Sequence, residues 1–549
     1  MFEPNQPNSL VYAAAKYTCT HPFKCLGLLI LLLAGYTFRR FITLSVYPNI
    51  DGPAGGHVIF GHLLKLFSPV EVEFHEELQE TYGSVTKVQG FFGKENLYVS
   101  DPRFLHEIVV KEPDAAFTHP SYFYTINAAS FGPGLGACKR EEHRAQRKVL
   151  CIKAVVPVFH GIAQKMKEAI ANEIGEAQTK EMDVLRWCSA VALEMVGQAG
   201  LGYSFGVLDG TESVYIRAVK TFFPEVMRLG PLMGIFPFIY RITPTWLGPK
   251  LAQWAPAANV RNIKKIIDIQ EKQAQTILAE RKAALQNHEG SDEPRDLISI
   301  LLRTNMGASK EDRLSDAEIL GQMNSAIARI IHILSQNSSI QDRLRAEIAE
   351  APESMTYEEV NSLPYLDAIC RETLRLFPPT TFMERETNED RTIPLQYPVK
   401  GKDGNEDSKS MQVSSIPPVF RPTILRAADF SGPPYRETWG KDANEFRPER
   451  WLQDLPNSVI DAKLPGVYSS TYSNDGGSSL LINFNRGYKF AVLELKIVLS
   501  LLVRSFKFAP GTTQISWLNY LTMNPYPYGT KNPAEEGTEA SLDLKVSVI

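Results

Sequence analysis

Between Lys24 and the pair Arg39-Arg40 the chain runs for 14 residues, CLGLLILLLAGYTF, without one charged side chain. No other stretch of the sequence is as apolar, and a run like this must be taken out of water. As a helix it spans about 21 Å at roughly 1.5 Å per residue, short of the roughly 30 Å hydrocarbon core of a bilayer. Widening it to Pro22–Leu44, with Lys24, Arg39 and Arg40 reaching out to the headgroups, gives a segment long enough to span. A secretory signal fits less well, because Leu32-Leu33-Ala34 lacks the first small residue of a cleavage site and 24 residues precede the run. A buried helix is the remaining alternative. The expectation is an N-terminal segment, 1–45, with a single transmembrane anchor over about 22–44. Lys16 and Lys24 before it balance Arg39 and Arg40 after it, so charge assigns it no orientation.

The rest has to form a large buried core, since 44% of the 549 residues are hydrophobic. With 58 Lys+Arg against 62 Asp+Glu the net charge is only -4, which offers no field to hold nucleic acid; no nucleic-acid partner is expected. Cys19, Cys25, Cys138, Cys151, Cys188 and Cys370 show no CxxC spacing. That argues against a zinc site or a disulfide framework and makes a reducing compartment the default.

YPNIDGPAGG, within 46–56, is a Pro/Gly linker predicted to hold neither helix nor strand, with one domain following over 57–549. From 60 to 350 the apolar spacing is mostly helical. In Ile263 to Leu285, for instance, Ile266, Ile267, Ile269, Ala274, Ile277 and Leu278 share a stripe. Ser84–Gln89 and Asn96–Ser100 read as strands of a small sheet. Three pairs have capping-box spacing: Ser315/Glu318, Ser338/Gln341 and Thr356/Glu359. A helix from about Tyr365 to Phe377 is stopped by Pro378-Pro379. From Pro394 to Pro434 the pattern breaks into short strands, prolines and a charged loop.

In that last helix Glu372 and Arg375 of RETLRLFPP are three apart and share a face, where a charge pair can form. Some seventy residues on comes ETWGKDANEFRPERW (Glu437 to Trp451), and then RGYKFAVLELKIVLSLLVRSFKF (Arg486 to Phe508), a long apolar helix. The three in this order resemble the C-terminal half of a cytochrome P450, a haem-thiolate monooxygenase, and the resemblance extends over nearly the whole chain. It implies a mainly α fold with a small β lobe. It implies further that Glu372, Arg375 and Arg450 form a buried charged triad that fixes the haem-ligand loop. In REEHRAQRKVL, His143 and Arg147 would hold one haem propionate, although a solvated basic helix is the alternative; Arg385 in FMERETNED would reach the other. NADPH-cytochrome P450 reductase as electron donor, one oxygen atom inserted into an apolar small molecule, and an endoplasmic reticulum membrane with the domain in the cytosol are implied too. The style of the motifs resembles the fungal membrane-bound branch and suggests secondary metabolism or xenobiotic oxidation.

The sequence departs from that family at the chemistry. The family's cysteine, whose thiolate activates iron-bound dioxygen, lies in a Phe-x-x-Gly-x-Arg-x-Cys-x-Gly loop before the last long helix. Counting back from Gly487, Asn485 stands in its place; no cysteine follows Cys370 and no histidine follows His332. Tyr488 is on the helix and is a poor substitute. In the helix that should cross the haem, Gly321-Gln322-Met323-Asn324-Ser325 runs straight into Ala326-Ile327-Ala328-Arg329, without the acid-Thr pair that relays protons. Roughly ten residues are missing there, about 15 Å of helix, and Cys151-Ile152-Lys153 marks a third gap after Leu150. His332 is expected to be a helix residue and not a ligand. Abrupt breaks inside well-kept flanks favour misjudged exon boundaries over gradual decay. The rival reading is a catalytically inactive, haem-free membrane protein that binds or scaffolds.

Overall fold

A computed structural model describes residues 45–111, 116–131, 155–211, 214–230, 236–244, 246–287, 316–379, 382–399, 408–413, 423–427, 433–462, 481–520, 522–531 and 533–549, with Gly27, Gly35 and Met233. The expected anchor thus falls almost wholly outside the described residues. Among them no helix is long and apolar enough to cross a membrane.

Helices carry the fold: α1 (Val72–Tyr82), α2 (Pro102–His106), α3 (Val156–Ile174), α4 (Val184–Met195), α5 (Val214–Met227), α6 (Ala258–Asn287), α7 (Asp316–Gln336), α8 (Ser338–Glu350), α9 (Tyr357–Asn361), α10 (Pro364–Leu376), α11 (Pro433–Trp439) and α12 (Leu481–Ser505). From Val492 to Val503 every residue of α12 is buried, Glu494, Lys496 and Ser500 included, so the apolar run is enclosed on all sides and takes these polar groups with it. Around it pack α3, the second half of α7, α8 and α10, with α4 packed in turn on α3 and α7, in one cluster that includes Phe159, Val191, Ile331, Leu344, Ile369 and Val498. α6 is amphipathic as its spacing predicts: Ile266 and Ile277 are buried while Lys265, Asp268 and Glu271 face water.

The β lobe begins where the sequence placed it. β1 (Val85–Gln89) and β2 (Glu95–Val99) are antiparallel. They join β3 (Phe117–Thr118), β5 (Phe382–Thr387) and β8 (Thr423–Ala427) in a sheet of order β1-β2-β8-β5-β3. β6 (Arg391–Val399) pairs with β7 (Ser408–Val413), and β10 (Ile515–Tyr520) with β11 (Thr522–Pro527). A third small sheet has the order β4 (Thr179–Asp183), β12 (Asp543–Val548), β9 (Phe506–Pro510).

Three expectations change. The Pro/Gly linker has no helix or strand, but it is docked on the β lobe. Tyr47 and Ile50 are buried against Val85 and Leu97, the Lys87 amide donates to Asp51 O at 2.9 Å, and Glu95 accepts from the Val46 and Tyr47 amides. Gly52 makes that approach possible, because a Cβ there would sit 1.9 Å from the Lys87 carbonyl oxygen. The last long helix stops at Ser505. Phe506 and Phe508 are buried either side of exposed Lys507, and that period of two belongs to a strand paired with β12. Ser338 begins α8 without capping it. Gln341 turns inward instead: its Nε2 donates to Leu334 O and Phe508 O, and its Oε1 accepts from Phe508 N, each at 2.9 Å. The Thr356/Glu359 capping box is present in full; Ser315/Glu318 lies outside the described side chains.

Candidate functional site

α10 has the register that puts Glu372 and Arg375 on its buried face, with 0% and 2% exposure. Arg375 binds Glu372 in bidentate fashion, Nε to Oε2 and Nη2 to Oε1, both at 2.7 Å. Its Nη1 donates to Ala443 O at 2.6 Å and its Nη2 to Glu445 O at 3.2 Å. Thus one guanidinium ties the helix to the loop behind α11. Glu372 accepts two further bonds at 2.9 Å, from the Arg447 amide and the Trp451 indole. Arg450, 8% exposed, completes the triad more loosely: its Nε lies 3.6 Å from Glu372 Oε1. Arg450 is engaged mainly by Asp442, through the backbone oxygen at 2.9 Å and the carboxylate at 3.2 Å. The triad therefore assembles, but with unequal shares. Asp442, Arg447 and Trp451, which no reasoning from charge pairs had singled out, share the Glu372 and Arg450 contacts; they were visible only as letters of the WGKDA and RPERW motifs. Gly440, at φ +94, lets the chain turn out of α11 into this loop.

Arg385 lies on β5, 8% exposed, and its Nη1 is 2.8 Å from His119 Nδ1 and 3.0 Å from Glu384 O. His119 stacks on Phe123 with ring centroids 4.3 Å apart. Nothing in its sequence setting had marked it as Arg385's partner. His143 and Arg147 lie outside the described residues.

The family's haem chemistry needs a thiolate, and the residues present do not fit it. The stretch from Leu481 to Gly487, expected to be part of a ligand loop, forms the opening turns of α12. Asn485 therefore stands on a helix, not in a loop. Two cysteines fall among the described residues, Cys188 and Cys370, both fully buried in the helical core. Burial pushes the Cys370 thiol up to about 12 and the Cys188 thiol higher still, so both stay protonated and packed.

α7 runs without a break from Asp316 to Gln336. His332 is a structural residue: its Nδ1 accepts from the Trp517 indole at 3.1 Å. Burial and then the Arg329 charge lower its pKa to about 4, which keeps it neutral. On α12, Glu494 is fully buried and neither carboxyl oxygen has a hydrogen-bond partner. Burial pushes its pKa well above the usual carboxylate range.

Comparison with known proteins agrees with the frame. The family model described as cytochrome P450 matches residues 51–401. Cytochrome P450 monooxygenase 212 of Postia placenta is 34% identical over 502 residues, 86% of this chain and 90% of that protein. Cytochrome P450 monooxygenase 81 of the same fungus is 34% identical over 540 residues, 93% of this chain and 95% of the relative. Ganoderic acid synthetase CYP5150L8 of Ganoderma lucidum is 34% identical over 550 residues, 93% of this chain and 96% of its own length.

Proposed function

The chain belongs to the cytochrome P450 family, and from that premise we propose a frame built for monooxygenation whose 549-residue sequence has lost the means to carry it out. The chemistry proposed for the frame is insertion of one oxygen atom into an apolar small molecule, with electrons from NADPH-cytochrome P450 reductase, in fungal secondary metabolism. The family binds haem iron; His143 and Arg147 on one side and Arg385 on the other are the residues proposed for its propionates. The Ganoderma lucidum relative, a ganoderic acid synthetase, supports a small-molecule substrate. Pro22–Leu44 is proposed as a single membrane anchor, with the domain on the cytosolic face of the endoplasmic reticulum.

The observation that carries this reading is a contrast. The knot around Glu372 that should hold the ligand loop is intact, whereas the place of the loop's end is taken by helix, with Asn485 at the ligand position. The same observation favours the second reading, a haem-free membrane-bound binding or scaffold protein.

Transcripts across the codons for Asn324 and Gly487 separate the two. A splice form that restores an oxygen-relay motif after Asn324 and an Arg-x-Cys-x-Gly ending at Gly487, and whose product binds haem, supports the first. Transcripts that hold only the present sequence leave the haem-free protein as the account. Membrane attachment has its own test: the full chain should resist carbonate extraction, and a chain starting near Asn49 should be much more extractable. Full-length protein in the soluble fraction would contradict the anchor.

A further inference from the structure

We propose that Arg329 anchors a carboxylate-binding site between α7, the end of α10 and the β10–β11 hairpin, suited to an apolar molecule that carries one acid group. The Arg329 guanidinium carbon lies 3.8 Å from the ring centroid of Phe377 and 4.6 Å from that of Trp517. The rings stabilise the charge through their faces. They do nothing for the five N–H donors, which lie in the guanidinium plane and need acceptors of their own. Arg329 Nε is fully buried without one. Among the described residues no charged neighbour supports the cation either: burial lowers its pKa to about 10, so it stays charged at neutral pH. Its nearest titratable companion, His332, is held neutral with Nδ1 already occupied by Trp517.

A charged, largely enclosed guanidinium without a counter-charge is rare, because the cost of desolvation is normally offset by a carboxylate or by hydrogen bonds. Here one edge remains open. Arg329 as a whole is partly exposed although its Nε is sealed, so the terminal nitrogens form the accessible end. Two parallel N–H groups at that end match the two oxygens of a carboxylate. The walls are fixed: Ser325, one helical turn before Arg329, donates to the Met523 carbonyl and pins the hairpin to the same face of α7. Phe377, Trp517 and the hairpin supply the apolar surroundings for the rest of the ligand. The site uses neither iron nor a thiolate, so it stands or falls apart from the haem reading above.

The test is calorimetric titration of the full-length protein in detergent with octanoate and with octan-1-ol, repeated on Arg329→Met and Arg329→Lys. Subtracting the variants removes uptake by detergent and by the apolar N-terminal run. The expected result is saturable octanoate binding about tenfold or more tighter than that of octan-1-ol, with the preference abolished in Arg329→Met and weakened severalfold in Arg329→Lys, which keeps the charge but loses the fork. If Arg329→Met does not fold, Arg329→Lys alone decides. Equal affinity for acid and alcohol, no saturable octanoate binding to the native protein, or unchanged octanoate binding in Arg329→Lys would overturn the proposal.

Discussion

Glu372 and Glu494 are both carboxyls with no exposed surface, set in helices that pack against each other in one core, and they could hardly be more differently treated. Glu372 accepts two bonds from Arg375, one from the Arg447 amide and one from the Trp451 indole, with Arg450 beside it. Glu494 accepts none among the described residues. A buried carboxylate is tolerated when donors replace the water it lost; without them the group keeps its proton. The carboxylate on α10 is thus surrounded by donors, while the carboxyl on α12, seven residues beyond Gly487, has none among the described residues.

Glu372→Ala should show the largest effect, a loss of about 3–5 kcal/mol in chemical denaturation, because the buried Arg375 guanidinium loses its counter-charge while Arg450 keeps only Asp442. A loss below about 1 kcal/mol would mean that Asp442 and the loop carbonyls suffice without it. Glu494→Gln should go the other way, with a sign that depends on pH. The unfolded chain releases this proton at about pH 4.3, whereas the folded chain holds it to higher pH. The stability that the protonated group allows at low pH is therefore lost as pH rises from the unfolded toward the folded value, by up to about 1.4 kcal/mol per pH unit. Glu494→Gln removes that slope, so the variant should gain on the native protein as pH rises above about 4.3 toward the folded value; parallel pH profiles would show that Glu494 has a partner after all. Trp451→Phe takes one donor from Glu372 and should cost about 1.5–3 kcal/mol, the range for a hydrogen bond to a charged group. Thr356→Ala, at an exposed helix cap remote from both carboxylates in sequence, should cost about 1 kcal/mol and sets the scale of an ordinary local contact.

Legibility followed distance along the chain. Thr356 and Glu359 are three residues apart and their capping box was readable; Ser338 and Gln341 have the same spacing, but Gln341 is claimed by Phe508, 167 positions away. Glu372 with Arg375 could be read from helix period alone, whereas Arg450 needed the family's motif to bring it in. That the linker docks was not legible, because the surface that receives Tyr47 and Ile50 is built from β1 and β2. The turn from helix to strand at Phe506 was written as Phe-Lys-Phe, a period of two hidden at the end of an apolar run. The missing cysteine was plain from one letter, but a helix at Leu481 was not, since nothing in Leu-Leu-Ile-Asn-Phe-Asn forbids a loop.

The most direct test of the account is a reduced carbon monoxide difference spectrum of the purified 549-residue protein, its mass confirmed, beside that of Asn485→Cys. The account expects no thiolate signature from the native sequence, because neither Cys188 nor Cys370 is free to ionise and no cysteine follows Cys370 in the sequence. It expects none from Asn485→Cys either, since position 485 lies within α12 and not in a loop. A thiolate signature from the native chain would contradict it outright.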